Sequence, residues 1–361
     1  MNVAMSCAGE GFGHVSRMIS FAQSLRDQYQ LVLFAPKSVQ HHIRRSIPDA
    51  VVVTIPYFNM VKRGDRIRYR ATVLQNVNRA IAFRADVRMI RRRLAALKVR
   101  AVVTDYEPYL PAAARALDVP VMQVNHPGIV LRHPGMSVDS FVARIVARMM
   151  MGRSDRKMFV SFYNGDIGPI LKDELAQQTT SRGSYYVVYA KPTYRRKVIM
   201  ELEKLGIVDY MVFPDPRRDY VTALAGCRGL ITGGGHQSLS EAVTLGKPVF
   251  SIPQRGQYEQ QLNARMLVAS GWGMKGRFSN LDTTLSRFIA NIDRFPLHGR
   301  NTSVFFDAAG TRFRFVNDRE TAVAAIDTFI REYAGSGTVR RLIMNVQYEI
   351  NRTLQAIGLA G

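Results

Sequence analysis

The first half of the chain alternates short apolar runs with longer stretches in which apolar residues recur at helical spacing. The apolar runs, which predict strands, are Asn2–Ser6, Gln30–Ala35, Ala50–Ile55, Arg100–Asp105 and Val119–Val124. The helical stretches begin near His14, Lys37, Arg70 and Pro108. Strands that are apolar throughout and alternate with helices are typical of a parallel sheet covered on both faces. The pattern therefore predicts a doubly wound α/β unit.

The second half of the chain repeats this alternation. Its predicted strands are Ser184–Ala190, Asp209–Phe213, Gly229–Thr232 and Pro248–Ile252, and its helices lie near Tyr194–Leu205, Val221–Gly226, Ser238–Leu245 and Glu259–Ser270. The polar run Asp173–Gly183 is the expected linker. We predict an α/β fold with two doubly wound, Rossmann-like domains, at residues 1–168 and 184–337, that face each other across a cleft. A C-terminal helix at residues 338–361 is expected to pack back towards the first domain.

Composition favours a cytoplasmic protein. Apolar residues make up 47% of the chain and charged residues 22%, as in folded globular proteins. Two cysteines, Cys7 and Cys227, are too few for a disulfide framework, which favours a reducing compartment. The first residues show no signal-peptide pattern, and no apolar run of about 18 residues occurs. We expect the protein in the cytoplasm, either free or peripheral on the cytoplasmic face of a membrane.

The net charge of +22 is concentrated in the first half. Residues 1–165 hold 25 Lys and Arg against 10 Asp and Glu, whereas the remaining residues hold 25 against 18. Much of the excess lies in Lys62–Arg100 and in Val142–Lys157, where Met149, Met150 and Met151 stand among arginines. Apolar residues interleaved with basic ones suit contact with anionic lipid, and a basic surface can also bind nucleic acid. Ordinary helices with a solvated basic face are the alternative.

A glycine-rich run, Gly9-Glu10-Gly11-Phe12-Gly13-His14, follows the first predicted strand and begins the first helix. It does not have the G-x-G-x-x-G spacing of dinucleotide-binding loops, because position 14 is histidine. His14 is therefore a candidate acid or base at the cleft, and Asp105, at the end of the fourth strand, is a candidate acceptor for its second ring nitrogen. Helix capping is the alternative role for both. Glu10, Gly11 and Gly13 are candidates for phosphate or acceptor contacts.

A second glycine-rich junction lies in the other half of the chain. Its candidate diphosphate-binding residues, at a predicted strand-to-helix turn, are Gly233, Gly234, Gly235, His236, Gln237 and Ser238. Glu241 lies one turn into the helix, where a carboxylate suits the diol of a ribose. Glu259 and Gln260 follow the next strand and together supply the donors and acceptors that sugar hydroxyls need. These residues predict a nucleotide-sugar site.

The segment 229–271 resembles the nucleotide-sugar signature of GT-B glycosyltransferases, in particular the family 28 group, which includes the lipid II-forming N-acetylglucosaminyltransferase and the diacylglycerol glucosyltransferases. The resemblance covers both domains. It implies that Glu241 binds ribose, that Glu259 and Gln260 bind the transferred sugar, and that an aspartate matching Asp105 supports the glycine loop ending in histidine.

The chain departs from the family at the glycine–serine phosphate motif of the lipid II-forming enzyme. Ala190-Lys191-Pro192-Thr193 stands in its place, and Lys191 or Thr193 is expected to take over part of the phosphate binding. Phe213, at a strand end, is a candidate for the base pocket. The remaining histidines show no metal-ligand spacing and are expected to be structural or on the surface: His41, His42, His126, His133 and His298.

We therefore expect an inverting hexosyltransferase with His14 as base, a UDP-sugar as co-substrate and no further cofactor. No Asp-x-Asp motif occurs, so we expect no metal at the donor site. The expected acceptor is a membrane lipid or a polyprenyl-linked molecule. Four alternatives remain open: a transferase acting on DNA bases, one acting on a soluble small molecule, a sugar-nucleotide epimerase of the same fold, and a non-catalytic nucleic-acid-binding protein.

Overall fold

The computed structural model describes residues 1–63, 66–295 and 304–356. In chain order the strands are β1 (Asn2–Cys7), β2 (Gln30–Ala35), β3 (Val51–Thr54), β4 (Lys62–Arg63), β5 (Arg66–Ile67), β6 (Ala101–Asp105), β7 (Val121–Asn125), β8 (Arg156–Phe159), β9 (Tyr186–Tyr189), β10 (Tyr210–Phe213), β11 (Gly229–Gly233), β12 (Val249–Ile252), β13 (Gly273–Lys275), β14 (Val304–Phe306) and β15 (Arg312–Arg314). His298 and residues 357–361, for which the sequence made predictions, lie outside the described residues.

Helices follow most of the strands. They are α1 (Phe12–Leu25), α2 (Gln40–Ser46), α3 (Tyr69–Ala96), α4 (Tyr109–Arg115), α5 (Val138–Met151), α6 (Asp173–Ala176), α7 (Pro192–Lys204), α8 (Tyr220–Gly226), α9 (His236–Thr244), α10 (Tyr258–Ala269), α11 (Leu281–Ala290), α12 (Arg319–Tyr333) and α13 (Thr338–Ala356). None of the helices in the described ranges combines the length and the apolar composition that crossing a bilayer requires.

The first sheet is parallel, with the strand order β3-β2-β1-β6-β7-β8. The five strands predicted in this half are all present, and β1, β6 and β7 are buried nearly throughout, as their apolar sequences require. The sequence missed β8, because Arg156 and Lys157 make half of that strand basic. In the register of β1 and β6, Cys7 lies opposite Asp105.

The second sheet is also parallel, in the order β10-β9-β11-β12-β13. The four predicted strands are present, and the missed strand, β13, has only three residues and begins with a glycine. Two parallel sheets with helices packed on them confirm the predicted fold class.

Helix α12 packs on the first half of the molecule and not, as predicted, on the second. The sequence grouped it with the second half, yet its buried residues Ala322, Ile326, Phe329, Ile330 and Tyr333 pack into the core around the first sheet. Their spacing places them on one face of the helix. That spacing shows that α12 has an apolar face but not which sheet it covers, so the chain order misled the assignment.

Helix α13 lies against the first half of the molecule. Arg341 bonds to Asp118 just before β7, and the Tyr333 hydroxyl donates to Asn345 Oδ1 (2.8 Å). The guanidinium of Arg156 lies 3.9 Å from the ring centroid of Tyr348. These contacts hold α13 near the amino-terminal ends of β7 and β8, on the opposite side of the sheet from the strand ends that carry the candidate site.

A buried polar cluster joins the two halves. His126, after β7, donates through Nε2 to Asn263 Oδ1 on α10 (2.9 Å), and the Tyr163 hydroxyl donates to the same oxygen (2.6 Å). The Asn263 amide donates in turn to Gly234 O (3.0 Å). Buried polar groups stabilise a structure only when they are paired, so these bonds fix how the halves meet.

We expect Phe329→Ala to lower the free energy of unfolding by about 3–5 kcal/mol, because it leaves a cavity in the core of the first sheet. Thr328→Ala, at the exposed neighbouring position, is the matched control and is expected to change stability by less than about 0.5 kcal/mol. Urea denaturation followed by circular dichroism measures both. Equal stability of the two variants would contradict the packing of α12 described above.

Candidate active site

A cleft of about 1970 Å³ opens between the two halves at the carboxyl ends of the strands. Most of the residues predicted from sequence line it: Glu10, Gly11, Gly13, His14, Lys191, Phe213, Gly233, Gly235, His236, Gln237, Ser238, Glu241, Glu259 and Gln260. Asp105 and Gly234 lie behind the lining, and the side chain of Thr193 is outside the described part of the structure.

His14 and Asp105 are in direct contact. His14 Nδ1 donates to Asp105 Oδ1 across 2.6 Å, and the imidazole is only 13% exposed. An ionised carboxylate only accepts hydrogen bonds, so it fixes the proton of the neutral ring on Nδ1 and leaves Nε2 as the unprotonated nitrogen. That is the arrangement of a general base held by a carboxylate.

The alternative capping roles are not seen. Gly11, with φ of 77°, precedes α1, and no side chain caps that helix. The helix after Asp105 is capped by Glu107, which accepts from the backbone N–H groups of Tyr109 (2.8 Å) and Leu110 (3.1 Å). Ser6 Oγ also donates to Glu107 (2.6 Å). Because Glu107 supplies the cap, Asp105 is left to bond His14.

Arg17, which the sequence analysis did not single out, completes the cluster. Its Nε donates to Asp105 Oδ2 (2.8 Å) and its Nη2 to Asp105 Oδ1 (3.2 Å), and the side chain is 3% exposed. Burial alone would raise the pKa of Asp105, but the charges of Arg17 and His14 and their hydrogen bonds outweigh it and lower that pKa. Asp105 is therefore ionised at neutral pH.

The second glycine-rich junction is tightly packed. A Cβ on Gly234 would lie 2.7 Å from Gln260 Cβ and 2.8 Å from Gln260 O, so only glycine fits there. Gly235 then precedes α9, and Ser238 Oγ donates to Gly235 O (3.2 Å). The amino-terminal end of α9 faces the cleft, where unpaired backbone N–H groups and the helix dipole favour an anion.

His236 begins α9 at the cleft, but its ring turns inward. Its ring is buried and stacks on His126 at 3.6 Å between centroids, and Nε2 accepts from the backbone N–H of Phe162 (3.2 Å). Burial lowers the pKa of His236 well below its usual value, so the ring is neutral. As the first residue of α9 it packs its side chain into the junction between the halves, against His126 and Phe162.

Glu241 is held by two neutral donors at the edge of the cleft. Gln237 Nε2 donates to Glu241 Oε1 (3.0 Å), and the Tyr220 hydroxyl lies 3.4 Å from Oε2. Burial raises the pKa of Glu241. The ring of Phe213 packs edge-on against Tyr220 at 5.3 Å, so the predicted ribose and base residues share one aromatic neighbour.

Glu259 lies across the cleft from His14. Its side chain is 22% exposed, and Oε1 is 3.8 Å from His126 Nε2. Burial raises the pKa of Glu259, while the charges of His14 and Arg17 act against that rise. Gln260 Oε1 accepts from the backbone N–H of Gln254 (2.9 Å), which leaves its amide N–H groups for other partners.

The last predicted residues lie near the mouth of the cleft. Glu10 accepts from the backbone N–H of Met60 (2.8 Å) and lies 3.4 Å from Lys62 Nζ, so its carboxylate holds the β4 segment. Lys191 precedes α7, and burial lowers the pKa of its ammonium group. The Tyr69 hydroxyl donates to Gly256 O (2.5 Å) and ties α3 to the loop before α10.

Comparisons with known proteins show the family and the fold of the chain. A family model described as glycosyl transferase family 1 matches residues 1–293. An uncharacterised glycosyltransferase of Methanopyrus kandleri is 24% identical over 275 residues, which are 64% of this chain and 79% of the relative. An uncharacterised glycosyltransferase of Methanosarcina mazei is 27% identical over 105 residues, 29% of this chain and 26% of the relative.

Solved structures share the fold. MurG of Acinetobacter baumannii superposes with a TM-score of 0.53 at 15% identity, covering 91% of this chain and 99% of that one. Phytolacca americana UGT2, complexed with UDP-2-fluoro-glucose and pterostilbene, gives a TM-score of 0.56 at 14% identity, covering 96% and 98%. SsfS6 of Streptomyces sp. SF2575, complexed with thymidine diphosphate, gives 0.51 at 15% identity, covering 82% and 94%. At these identities the likeness shows the fold, which is GT-B.

We expect Gly234→Ala to lower the free energy of unfolding by about 1–3 kcal/mol, because the new methyl group meets the backbone of Gln260. Gly235→Ala is the matched control, since its Cβ would find Ser238 Oγ no closer than 3.9 Å. Thermal unfolding of the two variants and the parent chain checks this. Similar melting temperatures for both variants would show that the junction is looser than described.

Proposed function

The chain belongs to glycosyl transferase family 1, and from this premise we propose that it is an inverting transferase that moves a sugar from UDP to an acceptor hydroxyl. That it is a GT-B glycosyltransferase using a nucleotide sugar follows from the family and the fold. The observation that carries the finer proposal is the 2.6 Å bond between His14 and Asp105, which leaves His14 Nε2 as the unprotonated ring nitrogen at the cleft, opposite Glu259.

The proposed reaction is a single displacement. The acceptor oxygen forms a bond to the anomeric carbon as the bond from that carbon to the diphosphate oxygen breaks, and the diphosphate leaves with the electron pair. His14 Nε2 takes the hydroxyl proton, and Asp105 stabilises the imidazolium that results. One displacement inverts the anomeric carbon.

The leaving diphosphate would lie at the amino-terminal end of α9, at Gly233, Gly235, Gln237 and Ser238. Backbone N–H groups and the helix dipole stabilise the charge that develops there without a metal ion. Lys191 adds a cation at the same cleft, and Thr193 remains a candidate. His236 is assigned only its backbone N–H group, because its ring is buried.

The donor sugar nucleotide would span the second half of the cleft. Glu241 would bind the ribose hydroxyls, Phe213 would border the base, and Glu259 and Gln260 would bind the transferred sugar. Support for uridine comes from neighbours of the same fold whose structures contain UDP or a UDP-sugar, although others contain thymidine diphosphate. The assignment to the family 28 group remains part of this proposal.

The acceptor would approach from the first half, where the wall is apolar. Val73 and Val77 on α3, and Val142, Val146 and Met149 on α5, line the cleft. Beyond the lining, further apolar side chains on the two helices are exposed to solvent: Leu74, Ile81, Phe141 and Ile145. Arginines stand among them on both helices. An apolar wall that opens onto an apolar, basic rim supports a lipid-linked acceptor at an anionic membrane surface.

We expect His14→Ala to lower kcat by about 10²–10⁴-fold, because the variant lacks the group that is proposed to take the proton from the hydroxyl. His41→Ala, an exposed histidine outside the cleft, is the control and is expected to keep full activity. A panel of UDP- and dTDP-sugars with membrane extract as acceptor, read by release of the nucleoside diphosphate, measures turnover. Binding of UDP to the His14 variant, measured by calorimetry, is expected to be unchanged.

Near-normal turnover by a folded His14→Ala protein would show that His14 is not the base. Epimerised sugar nucleotide formed without any acceptor would point to an epimerase instead. No binding of any nucleotide sugar at millimolar concentration would overturn the donor site as a whole.

The proposed membrane contact leads to a second prediction. Phe141→Asp combined with Ile145→Asp is expected to weaken binding to vesicles containing phosphatidylglycerol by about tenfold or more, because both exposed apolar side chains would lose their burial in lipid. Val208→Asp, an exposed apolar position between α7 and β10, is the control. Vesicle pelleting and a DNA mobility shift are run at the same salt concentration. If the double variant binds vesicles as well as the parent chain does, or if the parent chain prefers DNA, the proposed membrane contact is wrong.

A further inference from the structure

Arg17 is a buried cation directly behind the proposed base. It lies one turn after His14 on α1, so both side chains project from the same face of the helix. Its guanidinium makes two hydrogen bonds to Asp105, through Nε at 2.8 Å and Nη2 at 3.2 Å. Removing a charge from water is costly unless it is paired, and this pairing meets that requirement. The carboxylate that holds His14 is therefore shared with a second, permanent cation.

The same guanidinium lies against the imidazole. Arg17 Nη2 is 3.1 Å from His14 Nδ1. Guanidinium groups only donate, and Nδ1 already carries the proton that it gives to Asp105, so this contact is not a hydrogen bond. It holds a positive charge next to the ring. A second positive charge on the imidazolium would be repelled by it, and solvent screens the repulsion little because both side chains are largely buried.

The other charged and titratable groups facing His14 come from three further elements. Asp105 and Tyr106 lie at the end of β6, where the Tyr106 ring stacks on the imidazole at 5.9 Å. Glu259 on α10 interacts with His14 from the other half, and His126 after β7 interacts with it from the same half. The carboxylates of Asp105 and Glu259 thus favour protonation of the His14 ring, and the positive charge of Arg17 opposes it.

We propose that Arg17 is a positioning residue that neutralises Asp105 and keeps His14 unprotonated until the acceptor hydroxyl arrives. Without it, a base between two carboxylates would hold a proton before the substrate binds and could not take another. With it, Asp105 still fixes the tautomer, because the hydrogen bond to Nδ1 is retained. The inference rests on the proposed role of His14, but its test does not require activity.

The test is the titration of His14 followed by NMR on the full chain, with the ring signal assigned by its loss in His14→Gln. In Arg17→Met the midpoint is expected to rise by about one pH unit or more, which is at least tenfold in proton affinity. Arg17→Lys keeps a cation and is expected to restore most of the wild-type midpoint. Arg26→Met, at the far end of α1 and half exposed, is the matched control and is expected to leave the midpoint unchanged.

A purely structural arginine would give a different result. It would lower the melting temperature of Arg17→Met while leaving the midpoint of His14 where it is in the parent, and that outcome overturns the proposal. Should Arg17→Met fail to fold, Arg17→Gln carries the test, since glutamine can still donate to Asp105 without a charge. The titration midpoint of His14 is expected to rise in Arg17→Gln as it does in Arg17→Met.

Kinetics give the second readout. The acidic limb of kcat/KM is expected to move to higher pH in Arg17→Met, with turnover recovered at alkaline pH, and Arg17→Lys is expected to move it less. A uniform loss at every pH contradicts the proposal. If the parent chain turns over no nucleotide sugar, the proposed function fails, whereas the NMR midpoints still decide whether Arg17 controls the protonation of His14.

Discussion

Parallel pairing of β1 with β6, in the register that sets Cys7 opposite Asp105, is the constraint on which the candidate site depends. Because parallel strands end at the same edge of a sheet, the loop after β1 and the carboxylate at the end of β6 leave the sheet side by side. His14 and Arg17 reach Asp105 from the first turns of α1 without a long connection. A one-residue slip would turn Asp105 to the opposite face and leave a buried arginine unpaired.

The second half meets this edge through close backbone packing. Gly234 touches the start of α10, and its carbonyl accepts from Asn263, whose own oxygen accepts from His126 and Tyr163. The strand-to-helix junction is thereby fixed to the first half through fully buried groups. Burial lowers the pKa of His126 to about 3, so this part of the junction stays uncharged across the physiological pH range.

The sequence was sufficient for residues at strand ends and insufficient for residues that act through tertiary contacts. Asp105 ends an apolar strand, and glycine-rich runs after two other apolar strands lead to His14 and to α9, so the strand pattern and the glycines together located these residues. Nothing in the sequence distinguishes Arg17 from other arginines of an amphipathic helix, and only the fold shows that its side chain is buried. The direction of the His236 ring was likewise outside the reach of the sequence, since a glycine-rich turn predicts backbone contacts and not the direction of a side chain. The role of α12 depended on which sheet it covers, which chain order does not encode.

The amino-terminal ends of α1 and α9 also lie close together. A Cβ on Gly13 would lie 3.4 Å from Gln237 Cβ, an ordinary van der Waals distance, so the start of α1 lies beside the helix that is proposed to face the diphosphate. Gln237 in turn donates to Glu241 and to Ile170 O. Alanine at position 13 would therefore fit, whereas a longer side chain there would meet Gln237, the residue that bonds the proposed ribose acid. The proposed base and the proposed nucleotide site thus share a boundary at Gly13.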